Sequence, residues 1–311
     1  MNEPRPAAVR HVGSLFDLSA KEIRNVLDLA KQIKADLRAG RREPILSGHV
    51  IALLFEKPSL RTRVSFETGM CQLGGNSLFL GEDVGWGGRE SIADFAQVLS
   101  GYVDAIVCRA KTHRVIDQLM QYSRCPVING LTDEFHPCQA LADILTIEEQ
   151  PSQGKVAYIG DANNVAKSLA IVCAKLGVPM SIAAPRGYQF EQSFLDRLHR
   201  EVRNCKLQMT EDPREAVAGA AAVYTDVWAS MGQESEREIR AQAFAKYQVN
   251  ADLMKAANPD ACFLHCLPAR RGEEVTDEVI DGPQSAVLQQ AENRLHAQKG
   301  LLAWLLAPRF R

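Results

Sequence analysis

The stretch Pro58-Ser59-Leu60-Arg61-Thr62-Arg63 sets two guanidiniums and two hydroxyls side by side. It lies between an apolar run of strand length, Val50 to Phe55, and a helical pattern carried by Phe66, Met70 and Leu73 that Gly74-Gly75 ends. A strand-to-helix turn points unpaired N–H groups and the positive end of the helix dipole at one spot, where an anion is stabilised. Ser59 and Thr62 add hydroxyl donors, and Arg61 and Arg63 add forked donors matched to a phosphate or carboxylate. The chemistry expected here is capture of a small anion.

Further polar clusters sit where apolar runs end. Arg109 follows the run Ala105 to Cys108, and His136-Pro137-Cys138-Gln139 follows Val127 to Asn129 and opens a helix over 140–149. His136 and Gln139 are both able to donate to one oxygen. Beyond these, Asp161-Ala162-Asn163-Asn164 follows Val156 to Ile159, and Asp226 through Ser230-Met231-Gly232 follows Ala222 to Thr225. A carboxylate at that place suits an ammonium group. His265-Cys266-Leu267-Pro268 follows Cys262 to Leu264. A histidine beside a cysteine suggests a nucleophile and its base, but neighbours on an extended chain point to opposite faces, so an acyl-cysteine enzyme is disfavoured. His136, Cys138, His265 and Cys266 lack the spacing of a zinc set, and no metal is expected.

Alternating strands and helices have to position these groups. The pattern predicts an α/β protein of two doubly wound parallel-sheet domains, the second Rossmann-like, in which ligands gather at the carboxyl ends of strands. The polar segment 148–154 marks a boundary, giving domains over 1–150 and 151–283. A helix over 283–306 carries Arg294 and is expected to return to the first domain, so that 284–311 counts with it. Ser19-Ala20-Lys21-Glu22 reads as a capping box for the first helix. A dinucleotide cofactor is excluded on two grounds. The turn after Val156 to Ile159 has one glycine where the fingerprint needs three, and the strand that follows ends in Ala183-Ala184-Pro185 with no acid for a ribose hydroxyl.

The 311 residues are 46% hydrophobic with a formal net charge of −2, which gives no basic excess for nucleic acid or a membrane surface. No apolar run approaches the roughly 18 residues of a membrane span, and no signal peptide is evident, so a soluble cytoplasmic protein is expected. Eight scattered cysteines without a CxxC pair are expected to be thiols, mostly buried. The glycine-rich loop 81–89 around Trp86 reads as a lid or a contact with another chain.

Taken in order, the motifs Ser59 to Arg63, His136 to Gln139, Asp161 to Asn164, Asp226 to Gly232 and His265 to Pro268 resemble those of the aspartate/ornithine carbamoyltransferase family. The resemblance covers nearly the whole chain and is closest to the ornithine branch. It implies transfer of a carbamoyl group from carbamoyl phosphate to the δ-amine of L-ornithine, giving citrulline, with no cofactor. It implies that Ser59, Leu60, Arg61, Thr62, Arg109, His136, Gln139, Arg294 and the main chain at Cys266 and Leu267 hold carbamoyl phosphate. Arg109, His136 and Cys266 are the catalytic candidates, and Asn164, Asp226, Ser230 and Met231 would hold ornithine. A cis Leu267–Pro268 bond and a homotrimer, or a multiple of trimers, are implied as well. Leu60 stands where most ornithine enzymes have threonine and is similar to the branch acting on N-acetylornithine. N-acetylornithine and putrescine are therefore the alternative amines, and a non-catalytic binding homologue is the alternative of another class. The loop 81–89 lacks the glutamine by which relatives reach a neighbouring subunit's phosphate; Trp86 or Arg89 is the candidate in its place.

Overall fold

The computed structural model describes residues 9–81, 84–85, 88–229 and 234–310. Contacts divide the chain into two units. One comprises the described residues up to Leu18, then Asn25–Cys138 and the residues from Gln298 on; the other comprises Ser19–Arg24 and Gln139–Ala297. The division cuts through three helices, α1 (Ala20–Arg38), α5 (Pro137–Glu148) and α12 (Val287–Leu306).

The first unit holds strands β1 (Val50–Phe55), β2 (Asn76–Leu80), β3 (Ala105–Arg109) and β4 (Val127–Leu131), and helices α2 (Leu60–Gln72), α3 (Ile92–Leu99) and α4 (His113–Tyr122). The sheet runs β2-β1-β3-β4 with every pairing parallel. Residues 51–55 and all of β3 are buried, because helices cover both faces of such a sheet and leave no solvent side for alternation. Ala52, Leu54, Ile106, Cys108 and Val127 pack with Phe95, Leu99, Ile116 and Leu119 in one apolar cluster. The strand order reverses between β1 and β3, so the carboxyl ends of those two strands flank the crevice where such folds bind ligands.

The second unit holds β5 (Lys155–Ile159), β6 (Met180–Ala183), β7 (Leu207–Thr210), β8 (Ala220–Thr225) and β9 (Cys262–His265), again all parallel, in the order β7-β6-β5-β8-β9. Its helices are α6 (Asn164–Leu176), α7 (Gln192–Glu201), α8 (Pro213–Val217), α9 (Arg237–Phe244), α10 (Ala251–Met254) and α11 (Asp277–Ile280). Here the order reverses between β5 and β8. Two parallel sheets with their helices match the expected fold class.

The elements differ from expectation at several places, the short helices α8 to α11 among them, and three have a plain physical reason. Helix α5 starts at Pro137, not at residue 140, because proline's fixed φ and missing N–H suit a first helical position; Gln139 thereby enters the first turn. Helix α12 starts at Val287, not at Pro283, because Gln284 and Ala286 bond to the main chain of Phe263 as an extended continuation of the sheet. Strand β7 went unread because it is an edge strand with a half-exposed pattern and no apolar run. The capping box stands as read: the Ser19 N–H donates to Glu22 Oε2 at 2.7 Å, and the Glu22 N–H donates to Ser19 Oγ at 3.2 Å.

Within the first unit, Gly300 of α12 lies against α1: a Cβ there would sit 2.5 Å from the Val26 carbonyl oxygen and 2.9 Å from the Ala30 nitrogen. Both obstacles are backbone and cannot turn aside. Gly300→Val is expected to destabilise the fold by about 1–3 kcal/mol or more, as overpacking does. A fall in the urea midpoint at unchanged m-value measures it, and an unchanged midpoint would mean that the helices are not in this close approach.

Candidate functional site

In the first unit, Ser59 is the N-cap of α2, and its Oγ accepts from the Thr62 N–H at 3.2 Å. Leu60 is the first helical residue, its side chain 75% exposed, so its main-chain N–H is what it offers to a ligand. Thr62 is buried, and Arg61 is partly buried. The two arginines of the motif separate in role. Residues two apart on a helix face different sides, and Arg63 turns outward, its Nε donating to Glu67 at 3.0 Å and its guanidinium lying 3.7 Å from the centre of the Phe79 ring. Arg61, not Arg63, remains the anion candidate.

Arg109 ends β3 directly beside Phe55, the last residue of β1, and is buried. That register sets it next to the chain that enters the Ser59 turn. His136 is buried too. Its loop is fastened from below: the Asn129 side-chain amide donates to the carbonyls of Gly13 at 2.9 Å and Phe135 at 3.2 Å, and the Thr132 N–H donates to the Phe135 carbonyl at 3.0 Å. Asn129 and Thr132 are fully buried. Sequence reading passed over both, since a polar residue at a strand end carries no sign of its tertiary partners.

In the second unit, strand register builds the site. Thr225 pairs with His265 across β8 and β9, so the next residues, Asp226 and Cys266, leave the sheet side by side. The Cys266 thiol donates to Asp226 Oδ1 at 3.0 Å. On the other side Ile159 pairs with Thr225, which brings the Asp161 to Asn164 turn up to the same carboxylate. Asn163 Nδ2 donates to Asp226 Oδ2 at 2.8 Å, while Asn163 Oδ1 caps α6 by accepting from the Val165 and Ala166 N–H groups. Asn164 is the first residue of α6. Ser230 and Met231 lie outside the described residues, as does Trp86 of the glycine-rich loop; Arg89 is described and exposed.

A clamp unseen in the sequence holds this turn and the Asp226 loop together. Arg240 Nη1 donates to Asp161 Oδ2 at 2.7 Å and to the Trp228 carbonyl at 2.9 Å, and its guanidinium lies over the Tyr188 ring. Burial pushes the Asp161 carboxyl up, and the Arg240 hydrogen bond opposes that shift.

His265 and Cys266 do not diverge as alternation predicts, because β9 ends at His265 and Cys266 is already off the strand. Polar atoms of Asp226, His265 and Cys266 lie within 4.8 Å of one another. The imidazole is nonetheless committed: Nδ1 accepts from the Leu267 N–H at 2.9 Å, and Nε2 faces Glu274 Oε1 at 3.0 Å, with both side chains buried. With both ring nitrogens engaged, the cluster is a poor metal site and the histidine is no base for the thiol. Leu267 has φ of 56°, rare for a branched residue and a mark of a functional loop, and its bond to Pro268 is cis.

Gln139 and Arg294 meet within the second unit, Arg294 Nη1 donating to Gln139 Oε1 at 2.6 Å. Both are buried.

Known proteins resemble the chain over both units. A family profile described as the carbamoyl-P binding domain of aspartate/ornithine carbamoyltransferase matches residues 10–149. The profile of the Asp/Orn binding domain of the same family matches residues 152–305. An ornithine carbamoyltransferase of Bacillus subtilis is 52% identical, with 94% of this chain and 92% of that protein covered. One from Wolinella succinogenes is 47% identical, with 96% and 98% covered. Among solved structures, the ornithine carbamoyltransferase from Pyrococcus furiosus superposes with a TM-score of 0.92 at 48% identity, covering 97% of this chain and 98% of that one. With profiles matching in both halves and relatives this similar over nearly the full length, the chain belongs to the aspartate/ornithine carbamoyltransferase family.

Proposed function

We propose that the protein transfers the carbamoyl group of carbamoyl phosphate to the δ-amine of L-ornithine, giving L-citrulline and phosphate, with no cofactor. The observation that carries this reading is the Asp226 carboxylate at the switch point of the second sheet. It is buried, oriented by Asn163 and joined by the Cys266 thiol at 3.0 Å. A carboxylate so held suits the α-ammonium of a free amino acid, and N-acetylation would remove the charge it needs. Asn164, Ser230 and Met231 complete the ornithine set.

Carbamoyl phosphate is assigned to Ser59, the Leu60 N–H, Arg61, Thr62, Arg109, His136, Gln139, Arg294 and the main chain at Cys266 and Leu267. The helix start with Arg61 takes the phosphate; Arg109 and His136 take the carbonyl oxygen. The δ-amine attacks as the neutral form, since an ammonium has no lone pair. A C–N bond forms, negative charge develops on the carbonyl oxygen facing Arg109 and His136, and the C–O bond to phosphate breaks. The leaving phosphate takes the proton that the amine gives up. The Cys266 S–H is spent on Asp226, which leaves sulfur lone pairs to accept from the amine N–H and fix its approach. Placement and desolvation do the work, with no covalent nucleophile.

Residues 1–150 with the helix 284–311 serve carbamoyl phosphate on this reading, and 151–283 serve ornithine. Self-association, as the homotrimer implied by the family resemblance, would cover the exposed apolar side chains on α2 and the edge strand β2, namely Leu60, Val64, Leu78 and Phe79. The eight thiols form no disulfide, which favours a reducing compartment such as the cytoplasm, and an ornithine-to-citrulline reaction would belong to arginine metabolism. Among the described residues no helix is long and apolar enough to cross a membrane.

Three experiments test the reading. With carbamoyl phosphate present, citrulline formation from L-ornithine is expected to exceed product formation from N-acetyl-L-ornithine, putrescine or L-aspartate. A preference for N-acetylornithine would mean that Leu60 marks the branch and that Asp226 is misread, and absence of turnover with every amine would favour a binding homologue. Asp226→Asn is expected to raise the KM for ornithine about 10–100-fold, the worth of a hydrogen bond to a charged group. Arg61→Ala is expected to raise the KM for carbamoyl phosphate and lower kcat; unchanged kinetics would remove Arg61 from the phosphate site.

A further inference from the structure

One turn along α5 from Gln139 lies Asp143, wholly buried. Its Oδ1 accepts from Gln139 Nε2 at 2.8 Å, from Gln290 Nε2 of α12 at 2.6 Å and from the Tyr224 hydroxyl of β8 at 3.4 Å. Its Oδ2 is buried without a hydrogen-bond partner among the described residues. A carboxylate so placed would be poor design if it only filled the core, where an apolar side chain costs less.

The arrangement decides how two amides face. A primary amide has a donor end and an acceptor end. With the Gln139 donor end on Asp143, its oxygen is turned to Arg294 Nη1 at 2.6 Å. Reversed, the amide would set its N–H groups against a guanidinium that can only donate. Gln290 is oriented in the same way: its donor end is on Asp143, and its oxygen accepts from the His265 N–H at 2.9 Å, one residue before Cys266. One carboxylate oxygen thus sets Arg294 through one amide and the end of β9 through the other.

The surroundings leave Asp143 as the titrating group of this cluster. It is faced by Gln139 of its own helix, Gln290 and Arg294 of α12, Tyr224 of β8, Tyr158 of β5 and Cys173 of α6. Burial drives both tyrosines and the thiol well up, so they stay neutral. Burial also raises the Asp143 carboxyl, to about 7, against the pull of Gln139, Gln290, Arg294 and Tyr224.

We propose that Asp143 is a positioning residue for carbamoyl phosphate, holding the Gln139 amide, and through it the Arg294 guanidinium, in the orientation that receives the substrate. The proposal rests on the function assigned above. Its test compares the full-length parent with Asp143→Leu and Asp143→Asn, varying each substrate in turn between pH 5.5 and 8.5, which brackets the raised Asp143 value of about 7. Leucine, which has no acceptor, is expected to raise the KM for carbamoyl phosphate about tenfold, the equivalent of one ordinary hydrogen-bonded placement, with a clearly smaller rise in the KM for ornithine at saturating carbamoyl phosphate. Asparagine keeps an oxygen for the two glutamines and is expected to bring that KM back toward the parent's. It is also expected to remove an ionisation near neutrality from the pH profile of kcat/KM for carbamoyl phosphate. Equal rises in both KM values for leucine, or an asparagine variant that keeps the parent's pH profile, would overturn the proposal. If the leucine variant does not fold, Asp143→Ser takes its place in the same KM comparison. A parent that turns over neither substrate would overturn the functional reading itself, a result distinct from an active parent with insensitive variants.

Discussion

Parallel strand register is the constraint on which the chemistry depends. Apart from Arg294 on α12, the catalytic and binding candidates follow the carboxyl ends of strands, and the pairing decides which of these ends are neighbours. Phe55 beside Arg109 joins the Ser59 turn to the second cation, and Ile159, Thr225 and His265 in one row join the Asn163 turn, Asp226 and Cys266. A slip of one residue along β9 would turn every side chain to the other face and carry the thiol away from the carboxylate. Register is protected because the central strands are buried on both faces, so a slip would also expose or overpack apolar residues such as Val223 and Phe263.

Around those strand ends the polar groups are held by partners that do not themselves meet a substrate. Arg240 ties Asp161 to the Trp228 carbonyl; Glu274 and the Leu267 N–H occupy both nitrogens of His265; Asn129 and Thr132 hold the Phe135 carbonyl ahead of His136. Buried polar groups without such partners would lose several kcal/mol on the water-to-apolar transfer, so the partners hold the site's geometry as well as the fold. The catalytic groups consequently have few orientations left to explore before substrate arrives, which is where placement catalysis gets its rate.

Much of this was legible in the chain. Ser59 announces a cap, the runs at Val50, Ala105 and Val156 announce buried parallel strands, and Asp226 or His136 is conspicuous because a polar residue follows an apolar run directly. These signals are local. Along the string Arg61 and Arg63 look alike, whereas on the helix the neighbours of Arg63 are Glu67 and, across to β2, Phe79. Arg240, Glu274 and Asp143 were not found at all. Each lies on a segment with no distinguishing pattern, and its importance comes from a partner 79, 9 or 147 positions away in sequence. Spacing along the chain carries no trace of such pairings.

The pairing of Asp226 with Cys266 also explains why a histidine and a cysteine in adjacent positions do not make a nucleophile. A thiol becomes nucleophilic when a base takes its proton or a cation stabilises its thiolate. Here the S–H is given to the Asp226 carboxyl group, and the neighbouring imidazole is fully engaged elsewhere. A neutral thiol beside a carboxylate offers one donor, already used, and lone pairs that can accept. That is the complement of an incoming amine whose own N–H groups must be oriented while its lone pair stays free to attack.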